Sequence, residues 1–157
     1  SQALVFATDT PRDKLASYVD TVCRDRKLPW LPVTMDVTAI RVGPAILPGQ
    51  TASYDCYLRR GRQHGGLRAE RELPEGVQLG YTAHDVHLAA GLVEAYLVTL
   101  LSGTGDALGT VTDVDLVSGG ITRGLVVPVN NSPANPIAFD RGDVSQLGAA
   151  LTVALDA

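Results

Sequence analysis

Apolar and polar positions change period several times along the chain, and each change marks an element. Over residues 10–27, Leu15, Tyr18, Val19, Val22 and Cys23 recur every three or four positions, while Lys14, Ser17, Asp20, Arg24 and Asp25 fall opposite. That is the pattern of an amphipathic helix. Thr10-Pro11-Arg12-Asp13 predicts its start, with Thr10 as cap, Pro11 in the first helical position and Asp13 against the positive end. The helix should stop before Pro29, and Leu28-Pro-Trp-Leu-Pro32 should make an extended link, with Trp30 as an apolar plug against the helix. Residues 33–42 then alternate, Val33, Met35, Val37 and Ala39 against Thr34, Asp36 and Thr38, which predicts a strand. Residues 51–60 alternate again, with Ala52, Tyr54, Cys56 and Leu58 inward, and read as its antiparallel partner.

The longest periodic stretch is 82–102. Val86, Ala89, Ala90, Val93, Tyr96, Leu97, Leu100 and Leu101 share one broad face, and the opposite face carries Leu88, Leu92, Ala95 and Val98. A helix apolar nearly all round is expected to be covered on two sides. Before it, the arginine-rich residues 59–76 lack periodicity and predict an exposed loop, and 77–81 a short strand. After it, 110–118 and 121–129 flank Gly119-Gly120, a hairpin signal. Residues 130–145, rich in Asn, Pro, Gly and Asp, predict a loop, and 146–157 a final strand. The expected architecture is one α+β domain over 1–157, an antiparallel sheet with two helices packed on one face.

Composition narrows the classes. Hydrophobic residues make up 45% and charged residues 19% of the 157, as in a globular domain with a sizeable core. Cys23 and Cys56 have no metal-ligand spacing and are expected as buried free thiols, with a single bridge between them as the alternative. No signal peptide is expected in the first residues, nor a membrane span at 82–102, which His84, Asp85, His87 and Glu94 interrupt. A soluble, cytosolic protein follows. The net charge of −4 is unevenly spread: residues 1–71 carry 11 basic and 7 acidic side chains, and residues 72–157 carry 2 and 10. This predicts a positive and a negative surface suited to head-to-tail association.

Candidate chemistry is sparse. His84 and His87 are three apart on a helix, but no third ligand stands at a recognised spacing, so neither a metal nor a cofactor is expected. Asp85 there offsets the helix dipole. Arg59, Arg60, Arg62, Arg68 and Arg71 form a basic loop without interleaved aromatic residues, which lacks a single-strand binder's stacking groups and offers nucleic acid only nonspecific phosphate contact. Arg141-Gly142-Asp143 reads as a chance tripeptide in a loop.

Two resemblances carry functional expectations. His64-Gly65-Gly66 resembles the turn before the long helix of hot-dog acyl-CoA thioesterases, which makes Asp85 or Glu94 the acid/base candidate of an alternative, enzymatic or small-ligand reading. The order of elements as a whole resembles that of bacteriophage tail-terminator (tail-completion) proteins. It runs from a helix at 11–27 through the proline-led strand Pro-Val-Thr-Met-Asp-Val-Thr-Ala-Ile-Arg-Val, a return strand at 53–60 and the helix at 82–102 to strands ending in Gln-Leu-Gly-Ala-Ala-Leu-Thr-Val-Ala-Leu-Asp. That resemblance implies a structural protein of the virion, assembled in the host cytoplasm and not an enzyme. It would form a homo-oligomeric ring on the tail tube beneath the connector. No catalytic residue is assigned; the expected interface pairs Arg59, Arg60 and Arg62 on one protomer with Asp113 and Asp115 on the next.

Overall fold

The computed structural model describes residues 2–64 and 80–129. In order, the elements are β1 (Leu4–Thr8), α1 (Asp13–Asp25), β2 (Trp30–Asp36), β3 (Ala39–Val42), α2 (Tyr54–His64), α3 (Ala83–Ser102), β4 (Thr110–Asp115) and β5 (Ile121–Leu125). Among the described residues the strands form one sheet in the order β1-β2-β3-β4-β5. β1 runs parallel to β2, with α1 as the crossover between them. From β2 onward the sheet is an antiparallel meander.

Side-chain alternation on β2 divides the interior in two. Leu31 and Val33 join Ile40, Val42 and Val114 under Ala89, Tyr96 and Leu100 of α3. Trp30, on the other face, packs with Ala16 and Cys23 of α1, Ile46, and Tyr54 and Leu58 of α2. The α+β class holds. Two helices do share a face of the sheet, but they are α1 and α2; α3 takes the opposite face. Trp30 is the plug expected, fully buried, with its indole Nε1 donating to the buried Asp20 carboxylate at 3.1 Å. Burial pushes the Asp20 carboxyl above its ordinary range, against the bonds from Trp30 and the Tyr54 backbone. Both cysteines are buried free thiols.

Several expectations change. The strand expected at 33–42 is a hairpin: Val37 and Thr38 turn between β2 and β3, whose register pairs Asp36 with Ala39. β1 was not anticipated, and α1 starts after Arg12 with no side-chain cap. Residues 54–64, expected as strand and then loop, are helical because Ser53 caps them. Its hydroxyl accepts from the Cys56 amide at 3.3 Å, and Asp55 lies in the first turn. α3 forms as expected and is capped reciprocally by Thr82 and Asp85. It ends where Gly103 takes a left-handed φ of 70°. By length and composition alone it would also suit a membrane crossing. Its second face is not covered by the described residues: Val86, Leu88, Val98 and Leu101 are exposed. The hairpin is present as β4–β5, but its strands are shorter than the 110–118 and 121–129 expected, and residues 116–120, not the two glycines alone, connect them. The strand at 77–81 and the basic loop beyond His64 fall largely or wholly on residues 65–79. The loop at 130–145, its Arg-Gly-Asp tripeptide and the last strand fall on 130–157. Both segments lie outside the described residues.

Candidate functional site

The meander leaves one face of β4 and β5 open beside α2. On β3, Ile40 and Val42 point into the core under α3, so Arg41 is turned to the α2 side. Its partner in the β3–β4 register is Asp113, and Asp113 in turn lies opposite Thr122 of β5. With Tyr57, Arg60 and Gly61 of α2 as the facing wall, these residues enclose an open groove of about 600 Å³, within the size range of ligand sites. Its remaining wall is Val111, Gly124 and the apolar run from Leu125 to Val127.

Arg41 joins three elements at the head of the groove. Its Nε donates to Asp113, and its second donor reaches the Tyr57 hydroxyl at 2.8 Å. The guanidinium also stands 6.0 Å from the Tyr57 ring centroid, a cation–π distance. Burial alone would lower the Arg41 pKa; Tyr57 and Asp113 more than offset it, so the charge is held. Burial pushes the Tyr57 phenol up to about 12, with Arg41 opposing the shift. Tyr57 is therefore a neutral hydroxyl at ordinary pH, suited to hydrogen bonding and not to acting as a base. Behind it Tyr54, tilted against both Trp30 and Tyr57, donates to Asp13 at 3.2 Å. This fixes α2 against the start of α1.

Close approach of β3 and β4 at this point requires Gly43. Its φ is +107°, and a Cβ there would lie 2.4 Å from the Thr110 carbonyl oxygen. At the other end, Arg60 donates to the Val127 and Pro128 carbonyls at 3.4 and 3.3 Å. These bonds tie α2 to the chain leaving β5.

The residues expected at an interface are distributed around this groove. Arg60 and Asp113 both line it, so they share one surface instead of forming two. Arg59 is exposed and paired within α2 to Asp55 at 2.8 Å; Arg62 is exposed near the end of the same helix. Asp115 accepts from the Val117 and Ser118 amides and so shapes the β4–β5 turn. His84 and His87 are exposed on the first turn of α3, and Glu94 is exposed farther along it; none of the three reaches the groove. Sequence reasoning missed Arg41 and Tyr57. The available signal was a single arginine within an apolar alternating strand, a charge that must find a partner if half-buried.

A search of protein families and of curated proteins finds no match to the chain. Solved structures do resemble it. MccB of E. coli, in a structure with ATP, matches with a TM-score of 0.63 at 15% identity, over 84% of this chain and 39% of that one. The same protein with MccA-N7isoASN gives 0.63 at 14% identity. A heterocyclase in complex with substrate and cofactor gives 0.53 at 20% identity, over 85% of this chain and 20% of that one; the heterocyclase TruD gives 0.52 at 19%. The chain thus spans about two fifths of MccB and a fifth of the heterocyclases. At these identities the likeness is one of fold.

The neighbours overturn the tail-terminator reading and the virion-assembly role attached to it, since the fold is that of MccB and heterocyclases. The ring, the tail-tube partners and the virion location lose their premise with it. The hot-dog alternative fails on its own geometry. It needs His64-Gly65-Gly66 to lead into the central helix, whereas His64 closes α2 and α3 begins at Ala83.

Proposed function

We propose that this chain is the peptide-holding portion of a peptide-modifying enzyme, and that the groove between α2 and the β4–β5 hairpin receives the peptide. The observation that supports this most is the fold shared with MccB over 84% of the chain. Among that protein's structures is one with MccA-N7isoASN. The groove fits such a role, with apolar walls for side chains and a few placed polar groups (Arg41, Tyr57, Arg60, Asp113, Thr122) to orient main-chain amides.

In this reading Arg41 and Tyr57 bind and do not catalyse. Arg41 is engaged by Asp113 and Tyr57, and the phenol of Tyr57 stays protonated, so neither provides a nucleophile or a base. On this proposal the groove orients the peptide, and the reacting groups lie outside Arg41 and Tyr57.

The test is binding of a panel of short synthetic peptides to the purified chain, read by amide chemical shifts. Perturbations should cluster on 57–61 and 122–127 and weaken in Arg41→Met. A panel covering acidic, basic and apolar peptides that perturbs nothing at the groove would overturn the reading.

A further inference from the structure

β5 is an edge strand, and its hydrogen-bonding pattern shows which of its backbone groups face outward. The Val126 amide donates to the Gly109 carbonyl at 2.9 Å, and the Asp115 amide to Gly120 at 2.8 Å. In an antiparallel ladder, bonded and non-bonded pairs alternate. With the register Val111↔Gly124 and Asp113↔Thr122, residues 122 and 124 therefore bond inward to β4. Ile121, Arg123 and Leu125 turn their N–H and C=O groups away from the sheet, and among the described residues no backbone group pairs with them.

Sheet edges of this kind are commonly blunted by charged side chains, proline or a bulge. Ile-Thr-Arg-Gly-Leu has no proline, its one charge, Arg123, is drawn back to Thr110, and the register runs from Thr110↔Leu125 to Val114↔Ile121 without a bulge. All five residues are exposed, and Ile121 and Leu125 are 64% and 68% so. The opposite edge, β1, does not border the groove.

We propose that the edge of β5, which no described residue pairs with, takes an extended peptide as an added strand, one that alternates acidic with apolar side chains. This rests on the peptide-binding reading above and specifies its substrate class. A strand laid on β5 would place every second side chain over Thr122 and Gly124, on the groove side. Two guanidinium groups, Arg41 and Arg60, meet one carboxylate, Asp113, there. Only Asp113 is paired to Arg41, whereas Arg60 makes long bonds to main-chain carbonyls. The excess positive charge favours carboxylates on that side. The intervening side chains fall on the opposite face, where Ile121 offers apolar surface and the Arg123 guanidine is drawn back to Thr110 at 3.3 Å.

The experiment uses the full chain and synthetic Glu/Val alternating peptides long enough to span the five residues of β5. Two further peptides carry N-methyl groups on every second residue, in one frame or the other. A strand pairs through alternate residues only, so one frame should lose about tenfold or more in affinity through two or more lost bonds, while the other binds like the parent. Amide exchange at Ile121, Arg123 and Leu125 should slow on binding. A Lys/Val peptide should bind more weakly, and Arg60→Glu should reverse that preference.

Peptides that bind with both methylated frames equivalent, or with no slowing at those amides, would overturn the added strand and leave the groove reading standing. Amides already slow in the free monomer would overturn it by showing the edge occupied by the chain's own residues. Slowing that grows with protein concentration alone would do the same by showing a second copy there. Absence of any peptide binding would remove both proposals.

Discussion

Among the described glycines Gly43 leaves the least room for a side chain, and replacing it separates two physical effects. Gly43→Ala adds a methyl group at φ +107°, 2.4 Å from the Thr110 carbonyl oxygen and 3.0 Å from the Val111 Cα. Both neighbours are backbone atoms of β4 and cannot swing away as a side chain can. An L-residue forced into left-handed backbone costs about 1–2 kcal/mol. Overpacking relieved by backbone shifts adds about 1–3 kcal/mol. The expected loss is their sum, about 2–5 kcal/mol, a large part of a typical domain's stability of about 5–15 kcal/mol. Gly49→Ala provides the control, because its φ is +83° and nothing lies within 4 Å of the added methyl. It should lose only the backbone term, about 1–2 kcal/mol. Urea unfolding of parent and both variants measures the difference. The folded Gly43→Ala protein should also show shifted amides at Arg41 and Asp113, since the displaced strands carry that ion pair. If Gly43→Ala loses no more than Gly49→Ala, the close approach of β3 and β4 is wrong, and the geometry assigned to the groove fails with it.

Other expectations concern the two cores and the site. Tyr96→Phe removes a buried hydroxyl bonded to Thr110 at 3.1 Å and Thr112 at 2.8 Å, and should cost about 1–2 kcal/mol in urea unfolding. An unchanged midpoint would remove Tyr96 from that network. Tyr57, pushed up to about 12 chiefly by burial and held back by Arg41, should ionise at still higher pH in Arg41→Gln when followed by ultraviolet absorbance. A lowered midpoint would refute the contact. Asp20 has a folded pKa raised above 3.8 by burial. Between 3.8 and that value the folded chain binds more protons, so stability is fully present below the window and falls as pH rises through it. Asp20→Asn should flatten that dependence, and an unaltered pH profile would show that Asp20 does not carry it.

What the sequence made legible depended on how local the deciding interaction was. α3 was read within a residue or so because its period runs for five turns and its cap, Thr82 with Asp85, is local. The β4–β5 hairpin was legible for the same reason, through Gly119-Gly120, and the structure adds the Asp115 side chain to its turn. α2 was not. Ala52, Tyr54, Cys56 and Leu58 alternate as a strand would, yet Tyr54 and Leu58 are also four apart, as on a helix. Over so short a run the two periods coincide, and Ser53 decides the matter by capping the Cys56 amide. That error moved Arg59, Arg60 and Arg62 from a helix wall to a loop, and with them the functional reading.

The groove was illegible for a different reason: its polar centre joins residues 72 positions apart. Arg41 lies in an otherwise apolar strand and Asp113 in the middle of another, and only the register of β3 on β4 brings them opposite. Stability is a poor explanation for that pair. Its two side chains keep 25% and 37% of their surface exposed, and ion pairs open to water contribute only about 0–1 kcal/mol. A pair retained at the head of an open groove, with Tyr57 bonded to its arginine, is better explained by what it orients. It fixes a guanidinium and a neutral phenol in one geometry beside apolar walls, so that the peptide of the proposed function would meet preset donors and lose less freedom in matching them. On the proposed function, recognition accounts for a charge in the middle of β3.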